Sequence, residues 1–168
     1  MGEEIVNRVA NSSLITIDLA DYVPKLEILE LDLKQFLFEG FILKEKVFRK
    51  TLKSFDFLMY NKKIVALFCS SDAIVPMWAY MLTTSYLNNL DNKIHFGTRE
   101  DVFQKIFEKN IEEMDVSGFK TKKVIVKGCS NIPLSENLYV AITKKLQPIV
   151  SSLMFGEACS AVPVFKKK

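Results

Sequence analysis

The run Lys63-Ile64-Val65-Ala66-Leu67-Phe68 carries five apolar residues in succession and stops at a cysteine. An unbroken apolar run this short marks a strand covered on both faces, as the strands of parallel sheets are. A second run, Lys123-Val124-Ile125-Val126-Lys127, ends just before Gly128-Cys129. Helical stretches separate these runs. Leu43, Val47, Phe48, Leu52 and Phe55 recur at helical spacing with lysines between them, so residues 43–55 are expected as an amphipathic helix. Residues 76–90, opened by Pro76, read as a helix rich in large side chains, among them Trp78, Tyr80 and Met81.

Ile94-His95-Phe96 is a short strand, and Thr98 with Asp101 forms a capping pair. It opens a helix with Val102, Phe103, Ile106, Phe107, Ile111 and Met114 on one side. Ser135 caps a further helix that reaches about Lys145 and ends at Pro148, and residues 152–157 and 162–165 are strand-like. Near the start, residues 5–10 read as a short helix or arm. Residues 14–18 and 26–33 alternate apolar and polar side chains, and are expected to form an antiparallel pair around a turn at residues 21–24. Strands alternating with helices of this length imply α/β architecture. The expectation is a single domain over residues 1–168, with one mixed, mostly parallel sheet flanked by helices.

At 168 residues the chain is long enough to bury a substantial core, and 49% hydrophobic with 26% charged residues is a folded balance. The net charge of +3 is small, lysines are mixed with acids, and arginine occurs only at Arg8, Arg49 and Arg99. A nucleic-acid surface needs clustered cations with aromatics between them, so no nucleic-acid partner is expected. No apolar run approaches the ~18 residues that cross a bilayer, and no membrane role is expected. The acidic start, Met1-Gly2-Glu3-Glu4, has the wrong charge for a signal or transit peptide. Val6 occupies the place where a myristoylation signal needs Ser or Thr. A cytoplasmic location follows as an expectation. In a reducing compartment, metal binding or thiol chemistry outranks a disulfide framework for three cysteines.

Every cysteine is followed by serine, with a proline a few residues further on. The three segments are Cys69-Ser70-Ser71-Asp72-Ala73-Ile74-Val75-Pro76, Cys129-Ser130-Asn131-Ile132-Pro133 and Cys159-Ser160-Ala161-Val162-Pro163. Proline fixes its own φ and pushes the preceding residue out of the helical region, giving a stiff turn that can hold a sulfur in place. Cys69 and Cys129 fall at the carboxyl ends of expected buried strands, the edge where α/β sheets bind ligands. Cys159 reaches the same edge if the strand before it is parallel to the others.

Thiolates gathered at one point repel unless a cation sits among them, and zinc or an iron–sulfur cluster is the soft choice. Sulfurs sharing one zinc, each ~2.3 Å from it, lie within about 4 Å of one another. Both usually take four ligands, so Asp72, Glu157 or His95 is a candidate fourth, as is solvent or a small molecule. Three protein ligands with an open position suit a reactive or transferring site. Other readings stay open: three independent buried thiols, one nucleophilic or persulfide-carrying cysteine, or a non-enzymatic interaction module. Asp72 and Asn131 also suit helix caps, and His95 a structural role. Neither Cys69 nor Cys129 has the arginine or the glycines of an anion-binding thiol loop. The chain has no Walker A, G-x-G-x-x-G or H-E-x-x-H motif.

Four stretches carry a family likeness: residues 5–12, Asp72-Ala73-Ile74-Val75-Pro76-Met77-Trp78-Ala79-Tyr80-Met81, Lys127-Gly128-Cys129-Ser130, and Gly156-Glu157-Ala158-Cys159-Ser160-Ala161-Val162-Pro163. Together they resemble an uncharacterised family of small bacterial proteins, a domain of unknown function of about this length. The likeness spans nearly the whole chain. Members of that family are often encoded near Suf-type iron–sulfur assembly genes. The resemblance therefore implies a role around cluster or sulfur handling, with iron–sulfur assembly proteins as partners. Cysteines with a carboxylate are also similar to the ligand set of iron–sulfur scaffold proteins, although those have a different fold. The leading expectation is a zinc or iron–sulfur protein with Cys69, Cys129 and Cys159 as ligands and Asp72 or Glu157 as the fourth.

Overall fold

A computed structural model describes residues 14–128 and 132–168. The expected arm at residues 5–10, together with Cys129 and Asn131, lies outside the described residues. By its contacts the chain divides into two compact units: residues up to Val23 together with Ile106–Lys168, and the continuous stretch Pro24–Lys105.

The continuous unit holds β2 (Ile28–Asp32), β3 (Ile64–Phe68) and β4 (Lys93–Phe96), joined through α1 (Glu45–Ser54) and α2 (Met77–Leu87). Its sheet has the order β2-β3-β4 and is parallel throughout, with Ile28 opposite Ile64 and Ile64 opposite Lys93. The central strand is the apolar run, and Ile64, Val65, Ala66 and Leu67 are all buried. On α1, Phe48 and Leu52 lie one turn apart and are fully buried, while Glu45 and Arg49 pair on the outer side at 2.9 Å. Phe48 meets Phe36 and Trp78 edge-on at ring separations of 6.0 and 5.8 Å. Each such ring contributes ~2 kcal/mol by burial, which makes these aromatics a main support of the unit.

The other unit holds β1 (Leu14–Asp18), β5 (Lys123–Lys127), β6 (Ser152–Phe155) and β7 (Val162–Lys166), with α4 (Glu136–Leu146) between β5 and β6. The order is β1-β5-β6-β7: β1, β5 and β6 run parallel and β7 returns antiparallel along β6. Leu138, Ala141, Ile142 and Leu146 form the buried stripe of α4, at the spacing of one helix face. The long helix α3 (Arg99–Glu112) contains the boundary between the units. Its start is the expected capping pair. The carboxylate of Asp101 accepts from the Thr98 backbone N–H at 2.9 Å and from its hydroxyl at 2.7 Å. Gly97 precedes it at φ +131°, a conformation side-chain-bearing residues rarely adopt.

The expected single mixed sheet with an antiparallel N-terminal pair is overturned. Among the described residues there are two sheets, β1 and β2 lie in different ones, and each has a parallel partner, β5 and β3 respectively. Alternation of apolar and polar residues reports that one face is buried and carries no information about the direction of the neighbour. The connection is also wrong for a hairpin. It contains a 3-10 turn over Leu19–Tyr22, capped by the Asp18 side chain on the Ala20 N–H at 2.9 Å, and then Pro24. Antiparallel pairing does occur, at the other end of the chain between β6 and β7. Among the described residues no helix is long and apolar enough to cross a membrane.

Candidate functional site

In the four-stranded sheet, β5 and β6 are parallel neighbours with Val126 opposite Phe155, so both strands deliver their carboxyl ends to one edge. Beyond β5 the chain continues to Gly128. Beyond β6 it turns through Gly156, whose φ of +114° suits glycine and whose N–H donates to the Val126 carbonyl at 3.0 Å. The turn closes with the Ser160 N–H on the Glu157 carbonyl at 2.9 Å and carries Cys159, exposed, just before its end. Lys127 reaches across to Glu157 at 3.3 Å, linking the end of β5 to that turn.

Gly128 has a packing role that its sequence context does not reveal. A Cβ there would lie 2.1 Å from the Tyr139 hydroxyl and 3.0 Å from the ring carbon bearing it, so any other residue would force the Tyr139 side chain or the end of β5 to shift. Tyr139 in turn meets Phe155 edge-on at 5.5 Å. Both line an apolar cleft of about 410 Å³ with Val126, Ile142, Leu153 and Val162, within the size range of small-molecule sites. Phe155 and Val162 stand on either side of the turn that bears Cys159, so this edge has an apolar flank.

The three-stranded sheet presents a comparable edge in its own unit. Cys69 directly follows β3 and is half-buried, with its Sγ 3.9 Å from the Ser71 carbonyl. Asp32, the last residue of β2, holds the loop that carries this cysteine. One carboxylate oxygen accepts from the Ser70 N–H at 3.0 Å and the Lys34 N–H at 2.9 Å, and the other from the Ser70 hydroxyl at 2.6 Å. Burial alone would raise the Asp32 carboxyl, but the Ser70 hydroxyl and these backbone donors together hold it below the ordinary carboxylate range. Burial pushes the Tyr80 hydroxyl up, and the nearby Cys69 and Asp32 push it further. Asp72 is exposed in the same loop, and His95 lies on β4 opposite Ala66.

The expected ligands thus distribute by unit: Cys159 and Glu157 on one sheet edge, Cys69 and Asp72 on the other. Cys129, which follows Gly128 in the chain, lies outside the described residues. Among the described residues no group of three or more His, Cys, Asp and Glu side chains is gathered to hold a metal ion. The sequence reading passed over Asp32, Lys127 and Tyr139. The available signals were an acid closing an alternating strand directly before a turn, and a glycine at a strand end facing an aromatic helix.

Taken together, the features define an α/β protein with two sheets, one parallel and one mixed, each bearing a cysteine after a strand's carboxyl end. The chain matches, over residues 3–167, the family described as Protein of unknown function (DUF2480), and it belongs to that family. No match was found among curated proteins or among solved structures.

Proposed function

We propose that the carboxyl edge of the four-stranded sheet binds a thiophilic metal, zinc or an iron–sulfur species. The observation that carries the reading is the parallel pairing of β5 with β6. It brings Gly128, the residue before Cys129, and the turn bearing Cys159 to the same edge. Cysteine sulfur is the donor both metals prefer. In this reading Cys129 and Cys159 supply sulfur, and Glu157, now paired with Lys127, supplies oxygen. Cys69 and Asp72 complete the set expected from sequence; they belong to Pro24–Lys105, and Cys69→Ser tests their share separately. The finer reading is an accessory role in iron–sulfur cluster or sulfur handling, alongside iron–sulfur assembly proteins. It draws its support from the likeness to a family often encoded near Suf-type genes.

Metal analysis and absorption spectra of protein purified without oxygen test the proposal. The expected result is near-stoichiometric zinc, or iron with sulfide-to-iron charge-transfer bands, reduced at least tenfold by Cys129→Ser and by Cys159→Ser. Substoichiometric zinc and iron in the wild type, unchanged by Cys129→Ser, would overturn it.

A further inference from the structure

Helix α2 is unlike the other helices. Between Asp72 and Asp91 the chain has no charged residue at all, and α2 lies wholly inside that stretch. One side is covered: Ala79, Thr83 and Leu87 are buried, and Trp78, Leu82 and Tyr86 pack against the core. The opposite side is apolar over the first half of the helix, before Ser85 stands exposed in line with Met77 and Met81. Met77 and Met81, one turn apart, are each 72% exposed, and Ile74, three residues before Met77, is 92% exposed. Phe96 at the end of β4 is 70% exposed and meets Tyr80 edge-on at 5.6 Å, which extends the same face onto the sheet. For comparison, α1 of the same unit turns Glu45, Lys46, Arg49, Lys50 and Lys53 to solvent. An apolar stretch of helix surface left open in this way is one that a partner would cover.

We propose that this face, Ile74, Met77, Met81 and Phe96, is the interface of a twofold dimer of the chain. Its area fits. With large side chains exposing roughly 150 Å² each, the four present on the order of 600 Å², the upper end of what a monomer ordinarily leaves open. That is also the share each partner contributes to the smallest specific interfaces, ~1,200 Å² in total. Its charge fits as well. In an isologous contact a patch meets its own copy, so a charged centre would face like charge, and this patch has no charged side chain. Methionine adapts its shape to whatever opposes it, which eases self-complementarity. A lipid surface is the poorer occupant, because membrane-lying helices carry Lys or Arg on their polar face and α2 has neither.

The test is sedimentation of the full chain from micromolar to several hundred micromolar, with far-UV circular dichroism as a check on folding. The wild type is expected to reach twice the mass of one chain. The double variant Met77→Glu/Met81→Glu is expected to stay monomeric at every concentration with an unchanged dichroism spectrum. Val140→Glu, at an exposed position of α4 in the other unit, is expected to dimerise like the wild type. A wild type that remains monomeric throughout overturns the proposal, whether vesicles or another protein then prove to bind the face. A dimer that survives the double substitution overturns it equally.

Discussion

Asp32 ends one strand and grips the loop after the next: its carboxylate accepts both the backbone N–H and the hydroxyl of Ser70, at 3.0 and 2.6 Å. Two parallel neighbours are thereby joined at their carboxyl ends by side-chain bonds, beyond the ladder that ends with Asp32 opposite Phe68. The residue between that ladder and Ser70 is Cys69.

Removing the Asp32 carboxylate is expected to destabilise the protein. Asp32→Ala loses the bonds to Ser70 and the cap on Lys34, at a cost of about 1–2 kcal/mol once solvent exposure is allowed for. The pH dependence has a definite sign. A carboxyl held below its ordinary value when folded contributes its stability above that value and loses it as pH falls through the folded one. Urea denaturation of wild type and Asp32→Asn should therefore show a constant gap above about pH 5 that closes on acidification. A gap that widens in acid would refute the assignment.

Gly128→Ala should cost about 1–3 kcal/mol, because the new methyl meets the Tyr139 hydroxyl. In the double variant with Tyr139→Phe the hydroxyl is gone and a 3.0 Å contact to the ring remains. The double variant should recover part of the loss, a coupling that thermal melts of the four proteins would measure.

Trp78 is the only tryptophan and contacts the buried Phe48 at 5.8 Å. Phe48→Ala should destabilise the unit by about 3–5 kcal/mol, with Phe48→Leu costing distinctly less. Tryptophan fluorescence during denaturant unfolding follows this change directly, since its emission reports the environment on that side of α1.

Cys159 is exposed and Cys69 half-buried, so metal-free protein should react with a thiol reagent first at Cys159 and more slowly at Cys69. Zinc added beforehand should slow labelling of Cys159 at least tenfold if that sulfur is a ligand. Mass spectrometry of quenched samples resolves the sites. Equal labelling with and without zinc counts against metal binding there.

The elements of this fold were largely legible, and their partners were not. Runs such as Ile64–Phe68 announce a covered strand by composition, and Thr98 with Asp101 announces a helix start through local hydrogen bonding. Such signals act over a few residues. The pairing of Leu14 with Lys123 depends on groups far apart in sequence, and nothing in the alternation around Leu14 distinguishes β5 from β2 as its neighbour. The edges followed the same rule. Cys69 and Cys159 were placed correctly after their strands, whereas the Asp32–Ser70 tether needed the register of β2 on β3 to be known.

The chain order has a consequence for how the protein forms. The pairing of β1 with β5 closes a loop that contains all of Pro24–Lys105. Closing so long a flexible loop is entropically unfavourable and slow, whereas a segment already collapsed holds its ends nearer together. On the ribosome Pro24–Lys105 emerges complete before β5 does, and its strands pair only with one another. The strand β1 must therefore wait, without its partner β5, until that later part of the chain has emerged.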